Sequence, residues 1–166
     1  MPRNKKKTSF FKNSKILNIY CGPIKSKFLL VRGLFEYMMQ FKLYFSSKSI
    51  IEKFNPNKLI CYSPSIFFSF LVKKILKRKK MDSCLILRDI FPYWAIECGY
   101  INSYIIKKFY ISYFNSYIKL FKSIGVESIT NIQYLKNKTN LKNIFYLPNW
   151  INLRKSNLYA KKFENS

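Results

Sequence analysis

The chain contains no histidine, and only seven of its 166 residues are acidic. Without an imidazole, the side chain that most readily moves protons near neutral pH is missing. Histidine-based acid–base and nucleophilic catalysis are therefore excluded. Cysteine is sparse as well. Cys21, Cys61, Cys84 and Cys98 are scattered, with no CxxC pair, so no metal site of zinc-ligand spacing can be written. Thiols placed this way suit a reducing cytoplasm, where they serve as small core residues. The four glycines, Gly22, Gly33, Gly99 and Gly125, form neither GxGxxG nor GxxxxGK[ST] nor GxSxG. The nucleotide-binding loops and the nucleophile elbow that depend on those spacings are absent, and no cofactor is implied. No apolar run reaches the roughly 18 residues of a membrane span. The longest, from Leu59 to Val72, is interrupted by Ser63-Pro64-Ser65. The opening residues are basic but carry no long apolar stretch and no small-residue cleavage site, so they do not read as a signal peptide.

What is present points to one folded domain. Hydrophobic residues make up 49% and aromatics 19% of the chain, enough for a core and too many for a disordered segment. Thirty-one basic residues give a formal charge of +24. A surplus of that size calls for an anionic partner: nucleic acid, an acidic membrane surface or a phosphorylated substrate. Codon usage in an AT-rich genome, visible in the abundance of Lys, Asn, Ile, Phe and Tyr, accounts for the lysine equally well.

Residues 1–14 read as a basic disordered tail, and "KILNIY" (15–20) as a short strand stopped by Gly22-Pro23. Leu34, Met38, Phe41 and Phe45 recur at helical spacing within 31–54, and "NPN" (55–57) ends that helix. "KLICY" (58–62) is a buried strand. Ser63 is placed to cap a helix beginning at Pro64, whose apolar face is Phe67, Phe68, Leu71, Ile75 and Leu76. "SCLILR" (83–88) is the next strand. A helix over 103–122 follows, with Lys108, Ser112, Asn115, Lys119 and Lys122 as its polar stripe. "SIGVE" (123–127) is a strand, 129–137 a short helix and "NIFYLP" (143–148) a last strand. Continuous apolar strands alternating with helices predict an α/β fold: a Rossmann-like parallel sheet with right-handed crossovers and helices on both faces.

Ligands bind open parallel sheets beyond the carboxyl ends of the strands. Three polar stretches fall there: Ser63-Pro64-Ser65, Arg88-Asp89 and Glu127-Ser128. Arg88-Asp89 is either part of a ligand site or a structural ion pair that organises its loop.

Four segments, "YSPSIFFSFLVKKI", "LILRDIFPYWAIECGYI", "IGVESITNIQYL" and "LPNWI", resemble in order the acceptor-side domain of family 4 glycosyltransferases, nearest to WbuB-like enzymes of bacterial surface polysaccharide assembly. The resemblance covers roughly residues 15–152, and "RDIFP.WA...G" is its most specific part. It implies one half of a GT-B enzyme, in which two Rossmann-like domains face each other across a cleft. The acceptor-side domain would span 15–152, truncated at both ends. Residues 153–166 would be a tail where the missing nucleotide-sugar donor domain begins. By the same resemblance, Asp89 is the candidate catalytic base, or else a loop organiser, with Arg88 binding phosphate or orienting it. Ser63, Ser65, Tyr93 and Ser128 are candidate acceptor contacts. Pro92 and Trp94 either shape the acceptor wall or pack, with packing favoured for Phe91 and Trp94. Asn149 matches the interdomain hinge.

The implied activity is sugar transfer from a nucleotide-sugar donor, bound by the missing or separate domain, to a lipid-linked or polysaccharide acceptor. It would take place in the cytoplasm against the anionic inner face of the plasma membrane, with no activity expected of this chain alone. The competing reading is a non-enzymatic remnant or an interaction subunit of a split glycosyltransferase. Nucleic-acid binding ranks third. The charge and the aromatics would serve it, but no RNP, KH or helix-turn-helix pattern is present.

Overall fold

The computed structural model describes residues 7–21, 29–63, 65–78 and 81–149. It begins with an antiparallel hairpin, β1 (Lys7–Phe11) and β2 (Ser14–Asn18). Lys12 takes φ 51° at the two-residue turn, the left-handed geometry that matches the twist of paired strands. Two expectations are corrected here. Residues 7–14 are not a disordered tail, and "KILNIY" pairs with β1 instead of entering the parallel sheet.

Helix α1 (Leu29–Phe54) ends where expected, with Asn55 at φ 53° and its N–H on Ile51 O. Its inward face is only partly the expected one. Phe41 packs inward as expected, but Leu34, Met38 and Phe45 are exposed, while Gln40 and Tyr44 are buried. Three contacts to Phe70 account for this. Gln40 Oε1 accepts the N–H of Phe70 at 2.9 Å, and the rings of Phe41 and Tyr44 pack on Phe70. One of the orphan donors at a helix start is thereby satisfied from another helix.

The sheet follows. β3 (Lys58–Ser63), α2 (Ser69–Arg78), β4 (Asp82–Leu87), α3 (Tyr93–Glu97), α4 (Tyr104–Ile118), β5 (Ser123–Val126), α5 (Ile129–Thr139) and β6 (Ile144–Tyr146) alternate along the chain. The four strands are parallel in the order β3-β4-β5-β6. α2 starts at Ser69, a turn later than a cap at Ser63 would place it. Ser65 Oγ accepts from Phe67 N–H at 3.2 Å in the intervening turn. The side chain of Ser63, and Pro64, lie outside the described residues.

Partners in register share a face of the sheet. Leu59, Ser83, Cys61, Leu85, Leu87, Ile124, Val126 and Ile144 therefore point one way. On that side they meet Val72 of α2, Phe114, Tyr117 and Ile118 of α4, and Leu135 of α5. Each fully buried side chain of this size contributes about 1.5–3 kcal/mol. Burial also pushes the Cys61 thiol pKa up, and the thiol meets the Tyr117 hydroxyl at 3.2 Å. Asn115, expected on the polar stripe of α4, is half-buried with its Oδ1 enclosed.

The opposite face carries Ile60, Tyr62, Cys84, Ile86, Gly125 and Phe145. Ile60 and Tyr62 are 67% and 58% exposed. The α/β class and the parallel sheet stand, but the described helices of the sheet core pack on one face, not both. The strand order explains it. Strands that join in chain order through crossovers of one hand send every connecting helix to the same side. Covering the second face takes a reversal of strand order.

Candidate functional site

The carboxyl ends of β4 and β5 open into a hollow of about 410 Å³ lined by Arg88, Asp89, Ile90, Trp94, Glu97, Asn131 and Tyr134. Three elements converge on it. The loop after β4 supplies Arg88 to Ile90, α3 supplies Trp94 and Glu97, and α5 supplies Asn131 and Tyr134. α5 is set in place by Ser128, whose Oγ accepts Asn131 N–H at 3.0 Å, the usual work of an N-cap serine. The Tyr134 hydroxyl donates to Glu97 Oε1 at 2.5 Å and ties α5 to α3. Lys138 holds its ammonium over the rings of Tyr134 and Tyr93, 5.5 and 5.8 Å from their centroids. Desolvation, together with the neighbouring Glu97 carboxylate, raises the Tyr134 pKa well above the ordinary phenol value, so the hydroxyl remains a donor throughout the physiological range.

Arg88 and Asp89, adjacent in sequence, do not pair. Arg88 Nη2 lies 3.2 Å from Glu127 Oε2, and Asn149 Nδ2 donates to the same oxygen at 3.2 Å. Residues 88 and 127 sit one step past the in-register partners Leu87 and Val126. That places them side by side at the strand ends, where their side chains meet. Asp89 takes the next step of the chain and is exposed at the hollow. The expectation that Arg88 orients Asp89 is corrected accordingly: the carboxylate it engages is Glu127.

Of the residues singled out in the sequence, the structure brings Arg88, Asp89 and Trp94 to the hollow. Tyr93, Ser128, Ser65 and Phe91 lie elsewhere. Tyr93 is buried, with its ring against Phe114 and Tyr134, and burial raises its pKa. Ser128 spends its oxygen on the cap, and Ser65 on the turn before α2. Phe91 packs against Trp94 and Tyr110. Trp94 itself is half-exposed and forms a wall of the hollow. Glu97, Asn131 and Tyr134 were missed. Periodicity places Asn131 and Tyr134 on one side of a helix, three apart, and Glu97 three after Trp94. No local signal says that these two faces meet.

Two of the chain's seven carboxylates, Asp89 and Glu97, line the hollow, and a third, Glu127, anchors Arg88 at its edge. In a protein of net charge +24 this is the one described place where acidic groups converge beside an aromatic wall. Carboxylates and an amide accept and donate hydrogen bonds to hydroxyls, and the Trp94 ring offers a flat apolar surface. That combination suits a polyhydroxylated ligand. Among the described residues no group of three metal-ligating side chains converges, and no helix is long and apolar enough to cross a membrane. No protein-family model matches the chain, and no curated protein or solved structure is significantly similar to it.

Proposed function

We propose that this chain is the acceptor-side domain of a family 4, GT-B-type glycosyltransferase. It would receive a saccharide acceptor, lipid-linked or polymeric, in the hollow beyond β4. A nucleotide-sugar donor would be held by a separate domain. The reading is carried by one observation: Asp89, Glu97, Asn131 and Trp94 converge at the carboxyl end of a parallel sheet. Asp89 is the exposed carboxylate there and the candidate base for the acceptor hydroxyl. Trp94 and Glu97 replace Tyr93, Ser65 and Ser128 as candidate acceptor contacts. An anionic membrane is the expected surface for a lipid-linked acceptor.

The test has two arms. A short, water-soluble prenyl diphosphate bearing one hexose is titrated against the chain. Saturable binding that weakens in Asp89→Asn and Glu97→Gln supports the site, and absence of saturable binding sinks it. A donor domain is then supplied in trans with a UDP-hexose. In the combined system Asp89→Asn is expected to lower kcat by roughly 10²- to 10⁴-fold at an unchanged unfolding midpoint.

A second reading, an interaction subunit of a split enzyme that does no chemistry itself, is favoured by the uncovered sheet face of Ile60, Tyr62 and Phe145. It predicts no change in transfer from Asp89→Asn and a loss of assembly from Tyr62→Glu.

A further inference from the structure

α4 has an outward face that does not match its amphipathic reading. Its first two turns expose Tyr104, Ile105 and Phe109, with Tyr100 just before them; Tyr100, Tyr104 and Ile105 are each at least 75% exposed. Tyr104, Ile105 and Phe109 line a shallow groove of about 600 Å³ with Lys108, Tyr113 and, from α2, Ser69. Side chains four apart share a helix face, so Lys73 and Lys77 continue the line of Ser69 along α2. Both are exposed, as is Lys108. Neither α2 nor α4 contains an acidic residue.

We propose that this aromatic–aliphatic face of α4, with the lysine line of α2 beside it, docks the protein on an anionic lipid bilayer. Three observations select this occupant. Tyrosine side chains with an apolar ring and a polar tip prefer the membrane–water boundary. The exposed Ile105 and Ile106 gain from hydrocarbon and offer nothing to a stacked base, which disfavours a nucleic acid. The lysines flank the apolar groove with no carboxylate on either helix to oppose an anionic headgroup layer, and each basic residue near such a surface adds to the attraction. Trp94, on the lip of the polar hollow, stacks edge-on with Tyr100 at 6.0 Å. The docking face therefore runs up to the hollow. The surface assignment concerns the membrane partner of the proposed function but is independent of the sugar chemistry, and it can stand if that chemistry fails.

The experiment is co-sedimentation of the full chain with vesicles of phosphatidylglycerol and phosphatidylcholine in equal parts. Binding is expected, with release on raising salt, because exposed charges are screened beyond about 8 Å at physiological ionic strength. Ile105→Ser with Phe109→Ser is expected to weaken binding about ten-fold or more through lost apolar burial, at an unchanged unfolding midpoint. Both residues are exposed, so the fold tolerates the change. Lys73→Ser, Lys77→Ser and Lys108→Ser together are expected to weaken binding and flatten its salt dependence. Full binding by the Ile105/Phe109 variant overturns the proposal and assigns binding to basic residues elsewhere. Equal binding to pure phosphatidylcholine overturns its electrostatic half. Binding to single-stranded RNA without binding to vesicles overturns it in favour of a nucleic-acid surface.

Discussion

Arg88 Nη2 sits 3.2 Å from Oε2 of Glu127, a residue at the end of the neighbouring strand, and not against Asp89, its neighbour in sequence. The pair clasps the carboxyl ends of β4 and β5 together, and Asn149 adds the segment after β6 through the same carboxylate oxygen. Both charged side chains are about one-third exposed or less, so water screens the attraction only in part.

A double-mutant cycle of Arg88→Ala and Glu127→Ala, read from urea denaturation, is expected to give a coupling energy of about 1 kcal/mol. The same cycle between Arg88 and Asp89 is expected to give no measurable coupling. A reversed pattern would return Asp89 to the role of ion-pair partner.

Gly125 lies in β5 under two side chains of the last strand region. A Cβ there would meet Leu147 Cδ2 at 2.9 Å and Phe145 Cζ at 3.0 Å. Phe145 is on the uncovered face and has room to move outward, but Leu147 Cβ, 3.1 Å away, is fixed to its backbone. Gly125→Ala is therefore expected to cost about 1–3 kcal/mol, the range of an overpacked site, and Gly125→Val clearly more. The midpoint of thermal unfolding measures both. A stabilised alanine variant would mean that Leu147 and Phe145 do not lie over Gly125 in solution.

Alkaline pH offers a test of the clasp between α5 and α3. The folded state raises the Tyr134 pKa, first by desolvation and then through Glu97. Above the unfolded phenol value of about 10, the unfolded chain releases this proton and the native one keeps it, so stability falls as pH rises. The contribution of the Tyr134 hydroxyl is fully present below that value and lost as pH climbs toward the folded one. The difference in stability between the parent and Tyr134→Phe is thus expected to be constant from neutral pH to about pH 9 and to shrink above pH 10. Taking the difference cancels the titration of the many lysines, which both proteins share. A difference that grows with alkalinity would contradict the hydrogen bond to Glu97.

The strands of the parallel sheet were legible because each is a short apolar run between turn residues, and the hollow was legible as the place beyond their carboxyl ends. Three things were not. The inward face of α1 is chosen by Gln40 reaching Phe70, a polar contact that hydrophobic spacing cannot reveal. The partner of Arg88 depends on parallel register, which sets residue 88 beside residue 127, while sequence adjacency suggested Asp89. Tyr93 and Tyr134 are both tyrosines near the site. Tyr93 turns into the core against Phe114, and Tyr134 turns to Glu97. That choice depends on contacts between residues distant in sequence, which no local pattern encodes.

The strand order also governs how the sheet can be made. β3, β4, β5 and β6 pair in the sequence in which they leave the ribosome, each joined to its predecessor by one crossover. None of the three described parallel ladders has to wait for a later segment, so each of these strands finds its template already formed. The longest crossover, from Leu87 to Ser123, adds little to the cost of pairing, because closure entropy grows only slowly with loop length. Synthesis from the amino end can then lay these four strands down one at a time, β3 before β4, β4 before β5 and β5 before β6.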